Sequence, residues 1–333
     1  MKAIRWGIIG PGSIAATFAK DLSLIAQPQE IVVVLGHSED STRSFAEEFG
    51  VKHFYTDASR WLDEIQPDIV YIATPHPDHF NQALFCLERK IPVLCEKPIT
   101  MNADQCRQLI DLAVANNTFL MEAMWIRFLP SIQMVLDMIE NDMIGKVLSV
   151  KAATTFKAEP DDNSRYFDPE KGGGSLLDLG IYPVYLALLL LGKPRSIKAF
   201  AKLSDKNVDE ACSILFQYRS GAYAMLESSL ISSSDAPAEI TGEKGTIKIY
   251  HPWFEKAKGI EINIEGEGKI VYPCSWKGHG MQYETKEALE CLKANRIESS
   301  LHSHETSLDL ISTLDEIRKQ IKVVYPEADA VKV

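Results

Sequence analysis

The sequence predicts an α/β fold, a doubly wound parallel sheet, followed by an α+β region built on a large open, mainly antiparallel sheet. Three observations predict it. Ile4 to Gly10 is a mostly apolar run that passes straight into Gly10-Pro11-Gly12-Ser13-Ile14-Ala15 and a helical pattern through Phe18, Leu22 and Ile25. From there to about residue 123, short apolar strands alternate with helices, as in βα units. After Lys193, strand-like segments follow one another with no helix of comparable length between them.

The first strand is apolar on both sides, as a parallel strand covered on both faces must be. The turn after it needs Gly10 for a sharp reversal, Gly12 for close approach of backbone to a pyrophosphate, and Ala15 for packing of helix on strand. The phosphate then rests at the helix N-terminus beside Ser13 and Ile14. In this context the pattern reads as a Rossmann dinucleotide-binding domain over residues 1–123. Ile31 to Leu35 forms the second strand, and Gly36-His37-Ser38 follows where a ribose-binding acid would stand. A carboxylate there would bind the NAD ribose and repel a 2′-phosphate. Its absence, with Arg43 nearby, favours NADP, with NAD as the alternative because Glu39 and Asp40 come one step later.

The alternation continues with a helix through Phe45 to Phe49 stopped by Gly50, a strand at His53 to Tyr55 and a helix near Trp61 to Ile65. The strand Asp68 to Ala73 ends in Thr74-Pro75-His76-Pro77-Asp78-His79, a shaped wall for a nicotinamide, although turn and capping chemistry accounts equally well for Pro77-Asp78. A helix through Gln82 to Leu87 follows. Val93 to Cys95 then leads into Glu96-Lys97-Pro98. Ligands of open parallel sheets sit at the carboxyl ends of the strands. Pro98 fixes its own φ and lacks an N–H, so Lys97 is held at that rim. A helix over 103–115 and a strand over 119–122 complete the domain.

Residues 124–333 read as the α+β domain, for substrate binding and oligomerisation, with its C-terminal helices free to pack back on the first domain. A bridging segment, Met124-Trp125-Ile126-Arg127-Phe128, and a helix to Met143 open it. Strands are expected at 147–157, 196–203, 211–218, 222–230, 238–241 and 246–250, and helices at 283–294 and 307–323. Between the first two strands, Gly172-Gly173-Gly174 precedes a helix running to Leu191, with Asp178 and Tyr182 four residues apart and hence on one face of a regular helix. Singly, each has a bland reading as a helix-start charge or a half-buried ring. Ala222-Tyr223-Ala224-Met225-Leu226 is apolar on both faces while the helices suffice to cover one, which predicts a homodimer or higher oligomer through this sheet.

A hydrophobic fraction of 46% with 24% charged residues is that of a soluble globular protein. The formal net charge of −11 argues against nucleic acid and for a small, locally recognised ligand. No run is long and apolar enough to span a bilayer, Val184 to Leu191 being the most apolar and too short. The start lacks the pattern of a signal peptide. Six cysteines scattered without CxxC or His/Cys ligand spacing point to reduced thiols in a cytoplasm and to no metal site.

Together, Gly10-Pro11-Gly12, Thr74-Pro75 with His79, Glu96-Lys97-Pro98 and the glycine run before Asp178 resemble the marks of the glucose-fructose oxidoreductase and inositol dehydrogenase family (Gfo/Idh/MocA), over the whole chain. Many members carry histidine where Tyr182 stands. That tyrosine, with the stretch Glu122 to Phe128, is similar to the dimeric dihydrodiol dehydrogenase and NADP-dependent D-xylose dehydrogenase branch. The resemblance implies an NADP-dependent oxidoreductase, with a tyrosine acid/base and sugar, polyol or trans-dihydrodiol substrates. On this reading Tyr182 is the acid/base, Lys97 its electrostatic partner and hydroxyl donor, and Asp178 the residue orienting substrate or Lys97. The cofactor contacts expected are Gly10, Pro11, Gly12, Ser13, Ile14, His37, Ser38, Arg43, Thr74, Pro75, His76, His79, Glu96, Lys97, Trp125 and Arg127. Trp125 and Phe156 are the candidate walls of the substrate site, and Arg127 and Arg165 are candidate polar contacts. The competing class is a cofactor-binding regulatory or scaffold protein of the same fold without turnover.

Overall fold

The computed structural model describes residues 2–159 and 164–326, in two compact units, Met1–Arg127 with Lys277–Leu308 and Phe128–Trp276 with Asp309–Val333. The division falls just beyond 123, and the segment 277–308, which lies in the second half of the sequence, groups with the first unit. Hydrogen bonds account for this: the N–H of Leu120 donates to the carbonyl of Ile297, and Asp21 receives the backbone of His279, Gly280 and Met281.

In the first unit, β1 (Ile4–Ile9), α1 (Ser13–Leu22), β2 (Gln29–Leu35), α2 (Glu39–Phe49), β3 (His53–Tyr55), α3 (Ala58–Glu64), β4 (Ile69–Ile72), α4 (His79–Glu88), β5 (Val93–Glu96), α5 (Ala103–Ala115) and β6 (Leu120–Ala123) alternate. The strands form an all-parallel sheet in the order β3-β2-β1-β4-β5-β6. Strand order reverses between β1 and β4, which places the crevice of a doubly wound sheet beyond the carboxyl ends of those strands. Trp6 meets Phe18 edge-on at 5.1 Å, and Phe18 stacks on Tyr71 at 3.8 Å. This buried ring column pins α1 to β1 and β4, and so fixes the turn between β1 and α1.

The second unit contains α6 (Pro130–Glu140), β7 (Val147–Thr155), a helical run ending in α7 (Ile181–Leu191), and β8 (Ser196–Leu203), β9 (Asp209–Gln217), β10 (Tyr223–Ser229), β11 (Ala238–Gly242), β12 (Gly245–Ile249), β13 (Gly259–Ile264) and β14 (Gly268–Pro273). The sheet order is β14-β13-β12-β11-β7-β10-β9-β8, with β7 and β10 parallel and the other neighbours antiparallel. β13 and β14 lie outside the strands expected from the sequence, although Ile260-Glu261-Ile262-Asn263-Ile264 carries the alternation of a half-covered strand. β14 is almost wholly exposed, so no buried face leaves an apolar alternation to detect. Helices cover one face. On the other, Phe200 is 77% exposed and stands with Leu215, Tyr223 and Met225, with β9 and β10 placing Met225 opposite Leu215.

The run Pro169–Leu191 joins 3-10, π and α segments, and by length and composition alone it would cross a membrane, contrary to the sequence expectation. Its apolar window is 78% buried inside the protein, so it serves as a core helix. α8 (Met281–Lys293) belongs to the first unit, and the division between the units falls within α9 (His304–Ile321).

Candidate active site

The first group of expected residues lies at the carboxyl ends of β1, β4 and β5. Gly10 has φ +89°, and a Cβ there would lie 2.7 Å from the Thr74 methyl and 2.8 Å from the Ala73 backbone, so the ends of β1 and β4 touch only because position 10 is glycine. At Gly12 an added Cβ would meet nothing within 4 Å. Gly12 is also the N-cap of α1 and supplies no side-chain cap. Open space over an uncapped helix start is what a pyrophosphate requires, so these residues fit a dinucleotide. Ser13 and Ile14 are exposed on the first turn of that helix. Pro11 packs against Gly36, beyond the end of β2.

Lys97 sits on a turn held from three sides. Before it, the Tyr71 hydroxyl donates to Glu96 Oε1 at 2.5 Å, while the Lys97 N–H donates to Glu96 Oε2 at 3.2 Å. After it, the Pro98 carbonyl lies 2.8 Å from His79 Nδ1, and the Ile99 N–H donates to Glu122 Oε1 at 2.9 Å. Glu122 is in turn 3.1 Å from His302 Nε2, both side chains being buried. His79 is fully buried, and its Nε2 lies 2.9 Å from the Thr74 carbonyl. Burial lowers its pKa against the pull of the two carbonyls. It therefore acts as a strut between the Thr74 and Lys97 turns instead of facing a ligand. Burial raises the Glu96 carboxyl, with Tyr71 and the Lys97 ammonium opposing.

The remaining candidates of this unit are placed as follows. His37 is exposed beside Ser38, the N-cap of α2. Arg43 is ion-paired to Glu39 on its own helix and lies over the Phe54 ring at 5.6 Å. Thr74 donates to Gln82 Oε1 at 2.7 Å, Pro75 caps the 3-10 turn His76–Asp78, and His76 is buried. Trp125 and Arg127 are half-buried on the 3-10 turn Trp125–Phe128, with Arg127 Nε donating to the Leu301 carbonyl at 2.9 Å.

In the second unit, Gly172-Gly173-Gly174 packs closely against neighbouring chain. A Cβ at Gly173 would lie 2.6 Å from the Arg165 carbonyl and 2.7 Å from that of Tyr166, and Gly174 has φ +118°. Arg165 is thereby brought to Asp178, with Nη1 and Nη2 each 3.2 Å from Oδ1, and its guanidinium lies 4.4 Å from the Tyr166 ring. Phe156, 46% exposed, meets Tyr166 at 5.7 Å. Tyr182 is buried and stacks on Phe254 at 5.4 Å. Asp178 and Tyr182 are not joined by the regular helix expected from their spacing, because Leu176–Gly180 is a π turn and only Ile181 onward is α. Pro183 supplies a reason: it has no N–H for the Leu179 carbonyl, which relaxes the regular pattern there.

Sequence reasoning missed several partners. Tyr71, His302 and Phe254 lie far from the motifs along the chain and carry no local signature. Glu284 on α8 is fully buried, with neither carboxyl oxygen hydrogen-bonded among the described residues. Burial pushes its pKa well up, and the charges of Glu96 and Asp21 add to the effect.

Residues 4–124 match the oxidoreductase family with an NAD-binding Rossmann fold, and residues 132–248 match the GFO/IDH/MocA C-terminal domain. The chain is 33% identical over 340 residues to a Sus scrofa protein named trans-1,2-dihydrobenzene-1,2-diol dehydrogenase, spanning 98% of this chain and 99% of that one. A Danio rerio protein of the same name is 31% identical, with 98% and 99% covered. Among solved structures, aldose-aldose oxidoreductase from Caulobacter crescentus superposes with a TM-score of 0.87 at 20% identity, covering 96% of this chain and 98% of that one. A 3-ketoreductase from Actinomadura kijaniata in complex with NADP and TDP-benzene gives 0.84 at 24% identity, with 96% and 98% covered. The chain belongs to the Gfo/Idh/MocA family of oxidoreductases.

Proposed function

We propose that this protein is a dehydrogenase that favours NADP and transfers hydride from a secondary alcohol of a sugar, polyol or trans-dihydrodiol. A nicotinamide cofactor held at the Gly10–Gly12 turn supplies the hydride acceptor. In the oxidising direction Tyr182 takes the hydroxyl proton as hydride leaves the same carbon. An ordinary phenol titrates near 10, so Lys97 has the task of stabilising the phenolate by charge and of donating to the substrate oxygen. Asp178, paired with Arg165, orients the substrate. The observation that carries this reading is the support built around Lys97, whose turn is gripped by Tyr71 through Glu96, by His79 and by Glu122. Such investment in one rim lysine suits a group that must be aimed.

The names of the pig and zebrafish relatives support a dihydrodiol, and those of the structural neighbours a sugar. NADP is favoured by the missing acid after β2 and by Arg43, whose exposed pair with Glu39 is weak enough to exchange. The first unit binds the cofactor, and the second binds the substrate and forms a homodimer through the open sheet face around Met225. Free cysteines, five of them buried, suit a cytoplasmic setting.

The test is absorbance at the reduced-nicotinamide band with NADP and NAD against a panel of aldoses, polyols and trans-diols. Turnover with at least one class is expected. Silence across the panel with cofactor still bound would favour the regulatory or scaffold alternative.

A further inference from the structure

The π turn Leu176–Gly180 carries Asp178 and delivers the chain to Tyr182, and its two ends are braced by one chain of polar groups. Asp209, the first residue of β9, is fully buried. Its Oδ2 accepts the Ser175 hydroxyl and the Leu176 N–H, both at 2.7 Å, while its Oδ1 has no hydrogen-bond partner among the described residues. Ser175 Oγ is also 2.9 Å from Ser228 Oγ on β10. Since Ser175 donates to the carboxylate, Ser228 donates to Ser175. At the other end of the turn, a Cβ on Gly180 would lie 3.0 Å from Ser228 Oγ. The same serine therefore borders both ends, and Gly174 leaves room for the carboxylate.

We propose that Asp209, acting through Ser175 and Ser228, is a positioning residue that fixes this π turn and with it the aim of Asp178 and Tyr182; the inference rests on the oxidoreductase reading above. A stabilising role alone fits poorly. The groups facing the carboxylate are the Ser175 hydroxyl and the backbone amides of Ser175, Leu176 and Asp209, with Cys212 on its own strand and Tyr325 from the C-terminal segment near Gly174. Lys202, on the neighbouring strand, is paired with Glu210. Burial raises the carboxyl to about 6, against the hydrogen bonds from Ser175, Leu176 and its own amide, which lower it. A carboxyl raised by folding adds stability below its unfolded pKa and loses that contribution as pH rises through about 6. Above that pH the ionised Asp209 weakens the fold, a cost more typical of functional sites than of structural ones.

The experiment compares Asp209→Asn and Ser228→Ala with the wild type in the full-length protein. It measures unfolding at pH 8, NADP affinity, kcat and KM on the active substrate, and hydrogen exchange of a peptide spanning 175–185. For Asp209→Asn the expectation is stability equal to or above wild type, unchanged NADP affinity, kcat lowered at least tenfold and faster exchange across 176–180. Ser228→Ala should show the same pattern with a smaller loss. A folded Asp209→Asn with kcat within twofold of wild type and unchanged exchange would overturn the proposal, as would a kcat loss matched by lost stability. If Asp209→Asn does not fold, Ser228→Ala decides by the same criteria. If the wild type turns over nothing, the oxidoreductase reading fails on its own, and the exchange data still decide whether the brace exists.

Discussion

Removing the Glu122 carboxylate should destabilise the protein and slow turnover together. The side chain is 2% exposed, its Oε1 accepts the Ile99 N–H at 2.9 Å, and its Oε2 faces His302 Nε2 at 3.1 Å. Glu122→Ala leaves two buried donors without that acceptor. Hydrogen bonds to a charged group contribute about 1.5–3 kcal/mol each. Two of them amount to roughly 3–6 kcal/mol, or about two to four factors of ten in the folding equilibrium. Glu122→Gln keeps the shape and one acceptor, and should lose about 1–2 kcal/mol. Because Ile99 lies two residues beyond Lys97, freeing its N–H loosens the lysine turn, so kcat should fall in the order wild type, Gln, Ala. Urea unfolding followed by tryptophan fluorescence, with kcat measured at a temperature where each variant is folded, checks both quantities. A loss below about 1 kcal/mol in Glu122→Ala, with kcat unchanged, would refute the idea that Glu122 holds this turn.

Three further outcomes are expected. The difference in unfolding free energy between Asp209→Asn and wild type should move in favour of the variant as pH rises from 4 to 8, since the wild-type carboxyl shifts from 3.8 to about 6 on folding. At ~1.36 kcal/mol per pH unit this amounts to about 3 kcal/mol at most, and a pH-independent difference would contradict it. Ser38→Asp should swing cofactor preference toward NAD, because a carboxylate repels a 2′-phosphate; equal binding of both cofactors by the wild type would show that this loop does not read the phosphate. Light scattering at micromolar concentration should give a multiple of the 37.2 kDa chain, and Met225→Lys on the exposed sheet face should shift it toward one chain. A wild-type mass of one chain would remove the dimer.

The first unit was legible because its signals are local. A glycine turn after an apolar strand, strand ends marked by prolines, and the helix 103–115 all follow from neighbouring residues, and α5 occupies that range in the structure. The candidate lysine could be placed at a strand end for the same reason. What surrounds it could not. Tyr71, Glu122 and His302 meet near that turn across separations of 23 to 180 residues along the chain, and no spacing rule reports a partner so distant. The π turn is only partly local: Pro183 removes one amide, but the contacts that hold the turn, Gly180 against Ser228 and Asp209 on the Leu176 amide, are tertiary. A four-residue spacing implies one face only where helix geometry is regular, and it is not regular between Asp178 and Tyr182. The return of 277–308 to the first unit depends on Asp21 receiving the start of α8, an end-capping contact made in space instead of in sequence.

The central claim, that Lys97 and Tyr182 work as one acid/base unit, is tested most directly by the pH dependence of alcohol oxidation in Lys97→Met, Tyr182→Phe and the double variant. Folding and NADP affinity are to be confirmed in each. The wild type should gain rate with pH along one ionisation and then level off. Lys97→Met removes the charge while keeping most of the length, so its rise should move to higher pH and its chemical step should slow greatly. Tyr182→Phe should be comparably damaging, and the double variant should cost far less than the product of the singles. A Lys97→Met protein with wild-type turnover and an unmoved pH profile, or a double variant whose loss equals that product, would contradict the claim.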